Sequence, residues 1–212
     1  LEGREQSPPS KQKGIICRLM KDYEKALQSF DEVLKTDPKY KWAYAQKSLV
    51  WEEKGEYDKA IEYLNKDIET DPDYDWAYGQ RGFIYQKKRK YDQAIEDFSK
   101  GIALNPEYKW AYAQRGITYQ FKEDYDEAIN DLTKAVEIDP NYHGAIGQRG
   151  FVYQLKQEYE QAIQDFDKGI EINPDYVWAY VQRGYTMQLK QEYEQAIQDY
   201  SKAVEIDPEY KW

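Results

Sequence analysis

The sequence predicts an all-α protein, a solenoid of stacked antiparallel helix pairs, on three observations. The first is a 34-residue period: Gly82, Gly116, Gly150 and Gly184 keep this step, as do Ala26, Ala60, Ala94, Ala128, Ala162 and Ala196. The second is apolar spacing of three and four within each period, which gathers those residues on one helical face. The third is an Asp-Pro or Asn-Pro pair near the end of every period, at Pro38, Pro72, Pro106, Pro140, Pro174 and Pro208.

With Ser7 as repeat position 1, six units run 7–40, 41–74, 75–108, 109–142, 143–176 and 177–210. Residues 1–6 read as a tail or linker. The first helix of a unit carries positions 4, 8 and 11, as in Tyr112, Gly116 and Tyr119. Glycine inside a helix costs about 1 kcal/mol against alanine, so its recurrence predicts two helices that cross too closely for a side chain. The second helix carries position 17, always Tyr, then Ala, Leu or Ile, and apolar positions 24, 27 and 28 such as Leu132, Ala135 and Val136. Proline disfavours a helical residue before it and so ends this helix. The same Asp or Asn is expected to cap the next helix, with Pro in its first turn. Neither helix can bury its stripe alone, which is why the units must stack.

The ends are less regular. In the first unit Ser-Pro-Pro-Ser (7–10) replaces the aromatic start, Cys17 stands for the Tyr and Val33 for the Ala. Lys211-Trp212 repeats Lys109-Trp110 and reads as the start of a further repeat. No polar helix follows to cover the stripe of Tyr193, Ala196, Ile197 and Val204, so the array is expected to continue beyond this chain.

On these residues the chain resembles the tetratricopeptide repeat (TPR) family, whose pattern is matched by Tyr112, Gly116, Tyr119, Ala128, Leu132, Ala135 and Pro140. The resemblance implies a right-handed superhelix of antiparallel helix pairs. Its concave face would be lined mainly by the first helices and would bind segments of other proteins. One departure is informative. Arg81, Arg115, Arg149 and Arg183 precede the glycine where the family usually has Leu, and the same four units carry Asp97, Asp131, Asp165 and Asp199 at position 23. The first two units lack both, which predicts an Arg–Asp pair between the two helices of each of the last four. This Arg-Gly form is similar to that of prokaryotic TPR proteins.

Composition narrows the function. The chain has 212 residues, 33% charged and 16% aromatic, with net charge −10 and mean hydropathy −1.02. Disordered acidic chains are poor in aromatics, so this one is expected to fold. A lone cysteine excludes an internal disulfide framework, and the single histidine, His143, makes a metal site improbable. Cys17 reads as a core residue and His143 as an exposed helix start. No nucleophile elbow, phosphate-binding loop or His-based dyad is present, so no catalysis and no cofactor are expected. Overall acidity argues against nucleic acid, and no apolar run approaches the roughly 20 residues that span a bilayer.

A groove would be lined by regular rows. Position 6 supplies Gln46, Gln80, Gln114, Gln148 and Gln182; position 12 supplies Glu52, Gln86, Gln120, Gln154 and Gln188. Position 9 gives Leu49, Phe83, Ile117, Phe151 and Tyr185, and position 2 gives Trp42, Trp76, Trp110, Gly144 and Trp178. Position 5 is small or Val, ending in Val181. A primary amide offers an acceptor and two donors, which suits a peptide group. Gln rows beside aromatic pockets are therefore candidates to hold an extended peptide by its backbone. The alternative is that Gln tolerates a wet helix face and that Trp packs on the Tyr at position 34. Gly144 with Ile146 would open a notch in the Trp row. The carboxylate clamp of chaperone-tail-binding TPR proteins is not matched: Lys11 fits, but Ile15, Gln46, Trp76 and Gln80 occupy the other places. Positions 1–14 of units two to six sum to +10, which suggests a mild preference for an acidic or neutral partner. The expected partner is a protein or peptide segment; the alternative is head-to-tail self-association through an apolar end, or a spacer module of a larger multidomain protein with a catalytic or signalling part.

Overall fold

The computed structural model describes residues 9–210 and forms two compact units, Leu1–Pro106 and Glu107–Trp212. The predicted tail, Ser7, Pro8 and the Lys211-Trp212 start of a further repeat lie outside the described residues. The first unit holds α1 (Pro9–Leu19), α2 (Tyr23–Thr36), α3 (Lys41–Glu53), α4 (Tyr57–Thr70), α5 (Asp75–Lys87) and α6 (Tyr91–Leu104). The second holds α7 (Lys109–Phe121), α8 (Tyr125–Ile138), α9 (His143–Leu155), α10 (Tyr159–Ile172), α11 (Val177–Leu189) and α12 (Tyr193–Ile206). Within each unit consecutive helices pack as antiparallel pairs, and the second helix of one pair packs on the first helix of the next. No strand occurs among the described residues.

The glycines sit where first and second helices touch. A Cβ on Gly116 would lie 2.9 Å from Leu132 Cγ and 3.1 Å from the Ala128 carbonyl oxygen. On Gly150 it would meet Asp165 Cβ at 3.0 Å and the Ala162 carbonyl oxygen at 3.1 Å. Side-chain and backbone atoms of the second helix both crowd the position, so an added methyl group would need that helix to give by a few tenths of an ångström. Around each crossing the alanines at position 20 and the large residues Phe30, Leu64, Phe98, Leu132 and Phe166 are fully buried. Cys17 is half-buried against Ala26, Phe30 and Val50, as expected of a core substitution.

All four Arg–Asp pairs form, and each is bidentate. Arg149 Nε and Nη2 donate to the Asp165 carboxylate at 2.8 and 2.7 Å; Arg81 does the same to Asp97 at 2.7 Å, as do Arg115 to Asp131 and Arg183 to Asp199. A third guanidinium nitrogen reaches the preceding pair. Arg81 Nη1 donates to Asn65 at 2.7 Å, Arg149 Nη1 to Thr133 at 3.1 Å, and Arg183 Nη1 to Asp167. Each of these three arginines therefore ties three helices together. Lys47, in the same position of the second repeat, keeps only the backward arm, donating to Asp31 at 2.5 Å.

The turns correct one expectation and add a feature. The Asp or Asn before Pro does not cap the next helix. Its side chain is used earlier: Asp37 accepts from the Lys39 amide at 3.1 Å, Asp139 from Asn141 at 3.0 Å and Asn173 from Asp175 at 3.2 Å. These short turns delay the helix by three residues, so the cap position falls to Tyr40, Tyr74, Tyr108, Tyr142 and Tyr176, with no side-chain cap bond. The turn inside each pair places one residue in the left-handed region: Lys21, Gly55, Arg89, Glu123, Gln157 and Gln191, with φ between 57° and 75°. The residue after it donates to a carbonyl five back, as Glu158 does to Tyr153 at 2.9 Å, closing a Schellman-type end.

Since Arg149 and Asp165 are only 19% and 10% exposed, Asp165→Ala leaves a largely buried guanidinium without its carboxylate. A loss of about 3 kcal/mol is expected in urea denaturation, with the Arg149→Ala/Asp165→Ala double variant losing less than the sum of the singles. Additive losses would mean that the two side chains stabilise the fold independently.

Candidate functional site

The residues expected to line a groove all lie on first helices: α3 and α5 in the first unit, α7, α9 and α11 in the second. Their burial differs by row. Gln86 and Gln154 are buried, Tyr185 is 45% exposed, and the remainder are half-buried.

The Trp row serves the stack. Trp178 lies edge-on to Phe166 and Phe151, with ring centroids 6.0 and 5.9 Å apart, and beside Tyr176 at 5.7 Å. Trp42 meets Phe30 edge-on at 5.7 Å, and Trp76 and Trp110 stack on Tyr74 and Tyr108. Gly147 makes room for this packing: a Cβ there would lie 2.9 Å from the Tyr176 hydroxyl and 3.0 Å from the Trp178 ring. Burial pushes the phenols of Tyr74 and Tyr176 up to about 12, as befits rings set into the seams between pairs. His143 is not the exposed residue expected; it is half-buried, its ring edge-on to Tyr176 at 5.0 Å.

Position 12 also turns inward. Gln154 Nε2 donates to the Gln182 carbonyl at 3.1 Å and to Thr186 Oγ1 at 2.7 Å, linking α9 to α11. Its amide therefore spends its donors on the next repeat. At position 6, Gln148 and Gln182 stay partly exposed on α9 and α11.

A cavity of about 600 Å³ opens in the second unit, lined by Phe151, Gln154, Leu155, Val181, Gln182, Tyr185, Gln188 and Tyr200. Four of these are candidate groove residues, and Val181 and Gln188 continue the same rows. Leu155, from position 13, and Tyr200, from the second helix, were not legible as groove residues. Tyr200 donates to Gln188 Oε1 at 3.1 Å, which fixes that amide at the rim. The notch expected at Gly144 is not part of this cavity; Gly144 lies against the Tyr142 ring.

The basic excess of the first helices is largely consumed. Lys41 and Lys109 each pair with an Asp of the same repeat at 2.5 Å, Asp71 and Asp139. Lys156 reaches Asp126 of the preceding repeat at 2.7 Å, and Lys88 reaches Asp58 in the same way. Lys11, the residue that fits a carboxylate clamp, lies over the Tyr40 ring at 4.0 Å and donates to its hydroxyl. The +10 count thus overstates the field in the groove. Among the described residues no helix is long and apolar enough to cross a membrane, and no cluster of His, Cys, Asp and Glu could hold a metal ion.

Paired helices, glycine crossings and a cavity on the first-helix face define a helical-repeat interaction protein. Sequence models of the tetratricopeptide repeat match residues 18–81, 76–108, 110–142, 145–176 and 177–210, and the chain belongs to that family. No curated protein sequence matches it. Among solved structures, MamA is similar at 26% identity and a TM-score of 0.69, over 74% of this chain and 92% of its own. YrrB, described as a TPR protein with an unusual peptide-binding site, shares 23% identity over 87% of this chain and 95% of its own, at 0.68. PilW, a type IV pilus biogenesis factor, shares 18% identity over 99% of this chain and 97% of its own, at 0.85.

The two Gln rows separate in a stability measurement. Gln154→Ala removes two inter-repeat hydrogen bonds and is expected to cost about 1–2 kcal/mol, whereas Gln148→Ala is expected to stay within about 0.5 kcal/mol of the parent. Equal losses in chemical denaturation would place Gln148 in the stack as well.

Proposed function

We propose that the chain is a non-catalytic scaffold that holds a peptide segment of a partner protein along its first helices, anchored at the cavity of the second unit. The observation that carries this reading is the cavity itself. Phe151, Leu155, Val181 and Tyr185 give it apolar walls, and Gln182 and Gln188 place amides at its edge. Apolar walls with a few placed polar groups are the usual make-up of a ligand site. An apolar side chain of the ligand enters, while the partly exposed amides of Gln148 and Gln182 meet the peptide backbone. YrrB, similar over most of its length, supports the reading as a peptide-binding TPR protein. The consumed lysines take away the basis for an acidic preference, so selectivity rests on the apolar side chain.

A second reading is favoured by the ends. On α12, Tyr193, Ile197 and Val204 are 54%, 64% and 50% exposed; on α1, Ile16 and Leu19 are 55% and 71% exposed, and Met20 in the turn that follows is 74% exposed. Elsewhere position 10, the place of Ile16, is buried between pairs as Val50, Ile84, Thr118, Val152 and Thr186. Head-to-tail contact between copies would join these faces.

Peptides selected from a random display library test the first reading. Those that bind the parent are expected to lose tenfold or more in affinity, about 1.4 kcal/mol, against a Gln182→Ala/Tyr185→Ala variant of unchanged helicity. Failure to enrich any peptide, or equal affinity for the variant, would sink it. A mass that grows with concentration and returns to the monomer value on Ile197→Glu would support the second.

A further inference from the structure

Asp67 is out of place. It stands on α4 at repeat position 27, where the other units carry Val33, Gly101, Ala135, Gly169 and Ala203. The reason those residues are small or apolar is visible at Gly169: a Cβ there would point at the Tyr176 ring, 3.6 Å away, and at the His143 carbonyl, 3.9 Å away. Position 27 thus faces the seam between its own pair and the Tyr that leads into the next. Asp67 is fully buried in the equivalent seam, and neither carboxylate oxygen has a hydrogen-bond partner among the described residues.

The charged groups around it do not resolve this. From α3, Lys41 is the facing cation, but its ammonium is 2.5 Å from Asp71 and 4.6 Å from the Tyr74 ring centroid. The α4–α5 turn contributes Asp71, a like charge, and Tyr74, a half-buried neutral phenol. From α5, Asp75 adds another carboxylate, already accepting from Asn105 Nδ2 at 2.7 Å and the Trp76 amide at 2.9 Å. An ionised Asp67 would be a buried charge without a hydrogen bond, which a protein avoids by keeping the proton or by opening the seam.

We propose that Asp67 makes the joint between α4 and α5 proton-controlled: packed while the carboxyl is neutral, loosened when it ionises. Burial pushes this carboxyl up to about 7, with Lys41 pulling it down and Asp71 adding to the rise. The sign follows. Between about pH 4 and pH 7 the packed joint holds a proton that the opened one releases, so its stability falls as pH rises across that window. Above it the carboxyl is ionised in both and the loss is complete. Each pH unit of the window is worth about a factor of ten in the closing equilibrium. Gln80 of the position-6 row sits on α5, so the joint bears on how that amide is presented.

The test uses the whole chain, with ¹³C-carboxyl NMR to follow Asp67 and urea denaturation of the parent, Asp67→Ala and Asp67→Asn. Asp67 is expected to titrate near 7, while exposed carboxylates titrate near 4. The unfolding midpoint of Asp67→Ala is expected to exceed the parent's by more at pH 8 than at pH 5. Asp67→Asn, which keeps the shape but cannot titrate, is expected to hold a constant offset from Asp67→Ala at both pH values. An Asp67 that titrates near 4, or a gap between parent and Asp67→Ala that does not change with pH, overturns the proposal.

Discussion

The close crossing of the two helices in each pair is the constraint on which the structure depends. At Gly116 and Gly150 the first helix lies against the second so closely that a methyl group would already press on a carbonyl oxygen and a side chain. Positions 7 and 23 face each other next to that glycine, and a half-buried polar group at either one needs a partner there. Arginine and aspartate answer this with a planar, two-bond pairing that fits the gap and satisfies both groups. The third guanidinium nitrogen then extends the order of one pair to the one before it, through Asn65, Thr133 or Asp167. Lys47 shows what is lost without the fork: one ammonium makes the backward bond to Asp31, and Tyr63 stands in its pair where the Asp would be.

The same economy divides the first helix into a stacking side and a presenting side. Residues that looked alike by period do different work. Gln154 gives its amide to α11, while Gln148, six residues nearer the start of the helix, remains partly exposed. The Trp residues, which suggest an aromatic groove, fill the seam between pairs against Phe30 or Phe166. The surface we propose for a peptide is narrower than the rows implied: the partly exposed amides at position 6 and the walls of the cavity near the end of α11.

The fold was legible because its signals are backbone-scale and repeat in register. Each crossing glycine, each Ala at position 20 and each Arg–Asp pair is dictated by contacts that recur every 34 residues. The site was less legible because period alone does not say which side of a helix faces solvent. Position 12 is about one turn past position 8, close enough to the stacking face that the Gln154 amide reaches the next repeat. Tyr200 comes from a second helix, which a search confined to first helices passes over. The left-handed turn residues were hidden for a different reason: only Gly55 is a glycine, and Arg89, Glu123 and Gln157 adopt that conformation because the Schellman hydrogen bonds compensate the strain.

Asp67 shows the limit of reading by period from the other side. A repeat array is held by nearest-neighbour contacts, so its stability is close to a sum over pairs and the seams between them. A poor residue in one seam is therefore tolerated by the others, where a single-core domain would feel it throughout. This tolerance permits a buried carboxyl to persist between α4 and α5, and it also confines the consequence to that seam. A proton lost there need not unfold the chain; it need only loosen one joint of a stack whose remaining joints hold.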